Sequence, residues 1–199
     1  MTAGQAAVKR GVDIFLAAAG LLLTGWLIAI AYMAASIDTG ASGFFRQERV
    51  GRYGRTFRIL KLRTMRCDAS IDTTVTAASD PRITRLGRFF RRYKIDELPQ
   101  LVNILLGDMS FVGPRPDVRG FADELEGEDR IILSVRPGIT GPATLRFRNE
   151  EKMLQDSDDP ERYNREVIFP EKVKLNVEYI HDYRLSHDLR ILWTTLFRR

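Results

Sequence analysis

Ile83-Thr84-Arg85-Leu86-Gly87-Arg88-Phe89-Phe90-Arg91-Arg92-Tyr93-Lys94-Ile95-Asp96-Glu97-Leu98-Pro99-Gln100-Leu101-Val102-Asn103-Ile104-Leu105-Leu106-Gly107 decides how this chain is read. Its first half is basic and carries no acid. On a helical wheel Ile83, Leu86, Phe89, Phe90 and Tyr93 share one arc, and Arg85, Arg88, Arg91 and Arg92 occupy the opposite one, which predicts an amphipathic helix over residues 83–93. Such a helix lies in a membrane interface or packs on a core with its basic face in water; the segment alone leaves both open. Its second half, from Leu98 to Leu106, predicts a short apolar helix stopped by Gly107. Between the halves stand two adjacent carboxylates, Asp96 and Glu97, at a helix start. Fed by an arginine-rich helix, they suit a bound metal ion and a phosphorylated substrate. On the pair alone a helix cap with a first-turn decoration is the favoured reading, and the rest of the chain reverses it.

Upstream, Phe44–Val50 and Thr56–Leu62 predict two strands, joined through Gly51-Arg52-Tyr53-Gly54-Arg55 as a hairpin. The second strand alternates, with Phe57, Ile59 and Lys61 on one face. Residues 67–80 are polar and turn-rich, as expected of a loop. Downstream, Gly113-Pro114-Arg115-Pro116 and Arg136-Pro137-Gly138-Ile139-Thr140-Gly141-Pro142 predict two stiff loops. The two prolines around Arg115 limit the entropy its guanidinium loses on meeting an anion; a plain structural turn is the alternative. Residues 150–161 predict an acidic, solvated stretch. The tail from His187 sets Leu189, Ile191, Leu192, Trp193, Leu196 and Phe197 among arginines, which suits an interfacial helix or a packed terminal one.

Residues 12–36 form an apolar run whose only charge is Asp13. At about 1.5 Å per residue the run is long enough for a hydrocarbon core of about 30 Å, and it exceeds the ~7–15 residues of a signal-peptide core. Lys9 and Arg10 flank one end, and Arg46, Arg49, Arg52, Arg55, Arg58 and Lys61 follow the other. Basic residues mark the cytoplasmic side, so a helix that enters, breaks near Thr24-Gly25 and returns is favoured over a simple span.

The 199 residues are expected to form one domain, 1–199, with a membrane segment at 12–36 and a catalytic part at 44–199. Lys and Arg number 31 against 26 acids, for a net charge of +5 and a pI near 9.5, which favours anionic partners. The single cysteine, Cys67, excludes an intramolecular disulfide and a cysteine-only zinc site, and two histidines are too few for a histidine metal centre. Nucleic acid is not an expected partner, because no zinc, homeodomain-like or ribonucleoprotein signature accompanies the basic charge. A non-enzymatic membrane scaffold binding anionic lipid or a phosphorylated partner would explain the charge, but it leaves Asp96, Glu97 and the Pro-Arg loops without a task.

Several stretches together resemble the bacterial sugar transferases in their small monotopic form, the phosphoglycosyl transferases. They are Lys9-Arg10 with Asp13, Phe44-Phe45-Arg46-Gln47-Glu48-Arg49-Val50-Gly51, Phe57-Arg58-Ile59-Leu60-Lys61-Leu62-Arg63-Thr64-Met65, Asp96-Glu97-Leu98-Pro99-Gln100-Leu101, and the two Pro/Gly loops. The resemblance implies an α+β fold, mostly helical with a small β-hairpin, held to the membrane by a re-entrant segment and interfacial helices. It implies transfer of a sugar-1-phosphate from a UDP-sugar to a polyprenol (undecaprenyl) phosphate at the cytoplasmic face of the bacterial inner membrane, with downstream glycosyltransferases as partners. Asp96 is then the nucleophile of a covalent phosphosugar intermediate, with release of UMP. Glu97, with Asp96, holds Mg²⁺. Lys61, Arg63, Arg91, Pro114, Arg115, Pro116 and Arg148 become substrate-binding residues. The family usually carries Ser-Pro where this chain has Thr24-Gly25.

Overall fold

The computed structural model describes residues 1–67 and 80–197. Most of the loop expected at 67–80 lies outside the described residues. The chain begins with one long helix, α1 (Ala3–Thr39), opened by a capping box in which the Thr2 hydroxyl accepts from the Gln5 backbone N–H. It closes at Gly40, which is left-handed (φ 67°). α1 is long and apolar enough to cross a membrane by length and composition. It runs without a break through Thr24-Gly25, so the interruption expected there is absent. The Thr24 hydroxyl donates to the Gly20 carbonyl at 2.7 Å, one turn back, and Gly25 lacks the ring clash and missing N–H by which a proline would break the ladder.

The hairpin forms where expected, with β1 (Phe44–Val50) antiparallel to β2 (Thr56–Leu62) and Phe45 opposite Lys61. Next come α2 (Arg85–Tyr93), capped by Thr84, a tight 3-10 turn at Ile95–Glu97, and α3 (Gln100–Leu106), which ends on left-handed Gly107. Two three-residue strands, β3 (Ser110–Val112) and β4 (Gly138–Thr140), then pair in parallel. Both fall in or beside segments the sequence pattern assigns to stiff loops, and they are too short to show a period of two. Between these strands run an irregular stretch and two 3-10 segments, Ala122–Glu124 and Gly127–Ser134, and after β4 come the helices α4 (Pro142–Arg146), α5 (Glu150–Gln155), α6 (Pro160–Tyr163), α7 (Phe169–His181), preceded by a π turn at Asn164–Ile168, and α8 (Leu185–Phe197). The stretch at 150–161 is therefore partly helical, with Leu154 buried. The architecture is α+β, mostly helical, with a small antiparallel sheet.

α1 is built into this body. Lys9, Asp13, Ala17, Ile28, Ala31 and Ala35 form a buried stripe, while Phe15, Leu22, Leu23, Trp26, Ile30 and Ile37 are exposed on the other side. Ala17 shares a core with Ile59, Leu101, Ile104 and Met109; Ala31 and Ala35 share another with Leu62 and Phe90. Small side chains on the stripe let the backbones approach closely. A third core joins Val112, Ile132, Val173 and Ile180. The aromatic arc of α2 is divided between its two candidate roles: Phe90 is buried in the core, and Phe89 and Tyr93 are exposed. α8 likewise exposes Leu189, Trp193, Leu196 and Phe197 while burying Asp188.

Candidate active site

Four segments bring charge to one place. α2 crosses the exit of the hairpin so closely that a side chain at Gly87 would collide with the Thr64 carbonyl, and Arg91 follows in the last turn of α2. The chain then reverses at Lys94, a non-glycine residue held left-handed (φ 58°), a conformation that costs about 1 kcal/mol or more. That reversal turns Ile95–Glu97 inward, and Asp96 and Glu97 are both buried. The helix they precede starts only at Gln100, so neither sits in its first turn. Asp96 caps nothing: no side-chain cap bond is made at this turn or at α3.

Glu97 is held from two sides. Its Oε1 accepts from Arg115 Nη2 at 2.8 Å and from Lys61 Nζ at 3.3 Å. Lys61 comes from β2, which Asn103 of α3 fastens alongside: Asn103 Oδ1 accepts from the Leu60 N–H, and its Nδ2 donates to the Arg58 carbonyl, each at 2.9 Å. Arg115 comes from the loop after β3. Pro114 O accepts from Gly138 N–H at 2.8 Å, and Pro116 O from Arg49 Nη1 at 3.3 Å. The two prolines thus act through their carbonyls as supports of Arg115. Gly113 and Gly138 touch backbone to backbone, and a Cβ on either would strike the other strand, which explains the glycines beside the prolines.

Asp96 contrasts with its neighbour. Its Oδ1 is buried with no hydrogen-bond partner, and so is Nη1 of Arg91. Among the described residues Arg91 Nη2 pairs with Glu151, at 3.4 Å. Buried polar atoms are nearly always partnered, and among the described residues Asp96 Oδ1 and Arg91 Nη1 share this state with Arg49 Nε, Gln100 Nε2, Thr144 Oγ1 and Asn176 Oδ1; at Asp96 a charged group stands buried beside a fixed Glu97, with an acceptor atom left over.

The electrostatics separate the two acids. Burial pushes the Asp96 carboxyl up, Glu97 beside it adds to this, and Lys61, Lys94 and Arg91 pull the other way without prevailing. Burial would raise Glu97 too, but Arg115 first, then Lys61 and Lys94, hold it far below the usual carboxylate range. The Lys61 ammonium is lowered by burial and supported by Glu97; Arg115 is raised by Glu97. Glu97 is therefore a fixed anion and Asp96 a carboxylate of raised basicity, the pattern of adjacent groups with divided roles.

The other expected site residues lie differently. Arg63 donates to the carbonyls of Ser42 and Phe44 and lies against Phe45, so it closes the open end of the hairpin. Among the described residues no hydrogen bond or ion pair joins it to Asp96. Arg148 is exposed, and its Nε donates to the Leu145 carbonyl. The sequence reading misses Asn103, Lys94 and the flanking pair Arg49 and Asp117. Burial and then Arg115 lower Arg49 to about 10; burial raises Asp117 to about 6 against the pull of Lys172 and Arg49. Only Asn103 left a sequence signal, as one of two amides, with Gln100, inside an apolar helix, where a buried amide must find partners.

With this arrangement established, comparison with known proteins defines its class. The family model for bacterial sugar transferases matches residues 4–199, and the chain belongs to that family. It is 44% identical over 157 residues to a putative undecaprenyl-phosphate N-acetylgalactosaminyl 1-phosphate transferase of Bacillus subtilis, covering 76% of this chain and 84% of that one. It is 35% identical over 193 residues to a UDP-glucose:undecaprenyl-phosphate glucose-1-phosphate transferase of Caulobacter vibrioides, covering 94% and 68%. To the galactosyl transferase CpsE of Streptococcus agalactiae it is 38% identical over 200 residues, which is 94% of this chain but 41% of that relative's length.

Proposed function

We propose that this protein is a phosphoglycosyl transferase that moves a sugar-1-phosphate from a UDP-sugar to undecaprenyl phosphate, releasing UMP and starting lipid-linked glycan assembly. The observation that carries this is the unpartnered, buried Asp96 carboxylate beside a Glu97 fixed by Lys61 and Arg115. The names of the relatives supply the substrate class. In the first step Asp96 Oδ1 attacks the phosphorus bearing the sugar, an acyl-phosphate O–P bond forms, and the P–O bond to UMP breaks. In the second, an oxygen of undecaprenyl phosphate attacks the same phosphorus and the Asp96 carboxylate leaves. Arg115 and Arg91 offset the diphosphate charge that would otherwise repel Asp96, and Lys61 keeps Glu97 ionised. Raised basicity favours Asp96 as nucleophile over Glu97.

Asp96 and Glu97 fit Mg²⁺ by donor chemistry. Among the described residues no three His, Cys, Asp or Glu cluster together, and Mg²⁺ is commonly held by one or two carboxylates completed by substrate phosphates. When bound, the ion supplies charge neutralisation at the diphosphate. Loss of UMP release on adding excess chelator, with recovery on Mg²⁺ but not on Na⁺, is expected.

The same proposal places the protein as one domain on the cytoplasmic face of the inner membrane, monotopic, with both ends of α1 on that face. One body grips α1 near its start, where Lys9 pairs with Asp188 and Arg10 with the Ile104 and Leu105 carbonyls, and near its end, where Tyr32 meets Phe44 and Ala35 is packed among Leu62 and Phe90. A helix gripped at both ends by a polar body keeps both ends with that body, and its exposed apolar face enters lipid. Downstream glycosyltransferases would take the lipid-linked product. The enzyme assignment is tested by incubating the protein with UDP-sugars and undecaprenyl phosphate: UMP release supports it, and silence across the panel overturns it. For topology, single cysteines near Thr2 and near Ser42 in a Cys67-free background are probed with an impermeant thiol reagent. Protection of both in intact cells supports the monotopic arrangement; labelling of the N-terminal one alone means a span.

A further inference from the structure

Three polar residues at the start of α1 are committed to internal contacts. Lys9 donates to Asp188 of α8 at 2.6 Å. Arg10 donates to Ile104 O at 2.6 Å and Leu105 O at 3.0 Å, the last-turn carbonyls of α3, where a cation is favoured. Asp13, 4% exposed, accepts on Oδ1 from Ser110 Oγ and Phe111 N–H, each at 3.1 Å. A basic flank on lipid headgroups would leave these side chains free, and they are not.

The Asp13 contact reaches furthest. β3 pairs on one side only, with β4, so its Phe111 N–H has no strand to donate to; the Asp13 carboxylate takes the place of a third strand. Two residues beyond β3 the chain reaches Pro114 and then Arg115, whose guanidinium fixes Glu97. Meanwhile Arg10 holds the far end of the helix that follows Asp96 and Glu97. We propose that Asp13 is a positioning residue, through which the apolar helix α1 sets β3 and hence places Arg115 against Glu97. Membrane docking of α1 is thereby coupled to assembly of the site. The proposal rests on the transferase reading, because its kinetic test reads turnover of a UDP-sugar.

The test uses the full chain in membranes, with a UDP-sugar that the parent turns over and undecaprenyl phosphate. Asp13→Leu is expected to lower kcat about 100-fold, the scale of a misplacement of about 1 Å. Asp13→Asn is expected to stay within about threefold, because an amide oxygen keeps two lone pairs for the same two donors. Since Asp13 acts through Arg115, Asp13→Leu combined with Arg115→Ala should be no worse than Arg115→Ala alone, whereas independent roles would multiply. Hydrogen exchange should quicken across residues 110–115 in Asp13→Leu and stay unchanged in α7. Ser110→Ala, which removes one donor and keeps the fold, should show the same pattern at about tenfold. Parental kcat in Asp13→Leu and Ser110→Ala, multiplicative losses in the double variant, or exchange quickened throughout the molecule would each overturn the positioning role. A parent that releases no UMP from any UDP-sugar would instead overturn the transferase reading, and the exchange measurement would still decide whether Asp13 orders β3.

Discussion

Two of the buried charge clusters among the described residues, around Asp188 and around Glu97, are finished to different degrees. In the first, Asp188 accepts from Lys9 at 2.6 Å, from the Tyr179 hydroxyl at 2.6 Å and from the Tyr183 hydroxyl at 3.3 Å. Burial and then Asp188 raise both phenols, so they remain donors at any physiological pH. In the second, Glu97 is equally well held, but Asp96 Oδ1 and Arg91 Nη1 are buried without partners. Burial in both cases desolvates charge; only the first compensates for it fully inside the chain. A completed cluster binds elements together. An incomplete one carries a desolvation penalty that a ligand relieves, which is where stability is expected to be given up for activity.

The largest effect should come from the incomplete cluster. Asp96→Asn removes the proposed attacking anion and is expected to abolish steady-state UMP release. It should also leave the melting temperature at pH 7.5 equal to the parent's or higher, since it removes an uncompensated charge. The sign follows from the raised Asp96 carboxyl: its contribution to stability is fully present below the unfolded value of about 3.9 and is lost as pH rises through the folded one. The advantage of the variant should therefore be greatest near neutrality and shrink toward pH 4. A clear drop in melting temperature at neutral pH would erase the contrast between the clusters.

Next in size is the completed cluster. Asp188→Ala strands the Lys9 ammonium and should cost about 3–5 kcal/mol by denaturant unfolding, the scale for breaking a buried pair from one side. An unchanged midpoint would mean that the cluster is not structural. Arg115→Ala and Arg91→Ala should each lower kcat/KM by about ten- to a thousandfold; Arg115→Ala should also lower stability, because it leaves the buried Glu97 carboxylate with Lys61 alone, whereas Arg91→Ala should change it little. Arg115→Lys should recover only part of that, because an ammonium lacks the two-pronged guanidinium contact. Parental kinetics in both alanine variants would remove these arginines from the phosphate site. The smallest effect belongs to Glu151→Gln, which releases Arg91 from a half-exposed partner at 3.4 Å. Stability should shift by no more than about 1 kcal/mol, and KM for the UDP-sugar should not rise. A raised KM would show that Glu151 serves the substrate.

Much of this was legible in the residues alone, and for local reasons. The hairpin runs over Phe44–Val50 and Thr56–Leu62 as its alternation and Gly-flanked turn indicate, and α3 stops at Gly107, where a left-handed residue is needed. The length and apolarity of α1 and the adjacency of Asp96 and Glu97 are likewise properties of neighbouring residues. What only the tertiary structure decided is which charge meets which. Lys9 and Asp188 are 179 residues apart, Asp13 and Phe111 98, and Lys61 and Glu97 36. The same distance in sequence hid the division of labour among the arginines, with Arg115 on Glu97, Arg63 at the hairpin base and Arg10 on α3. A side chain's charge is set by its own chemistry, but its partner is set by packing between distant elements, and no local period or turn signal carries that information.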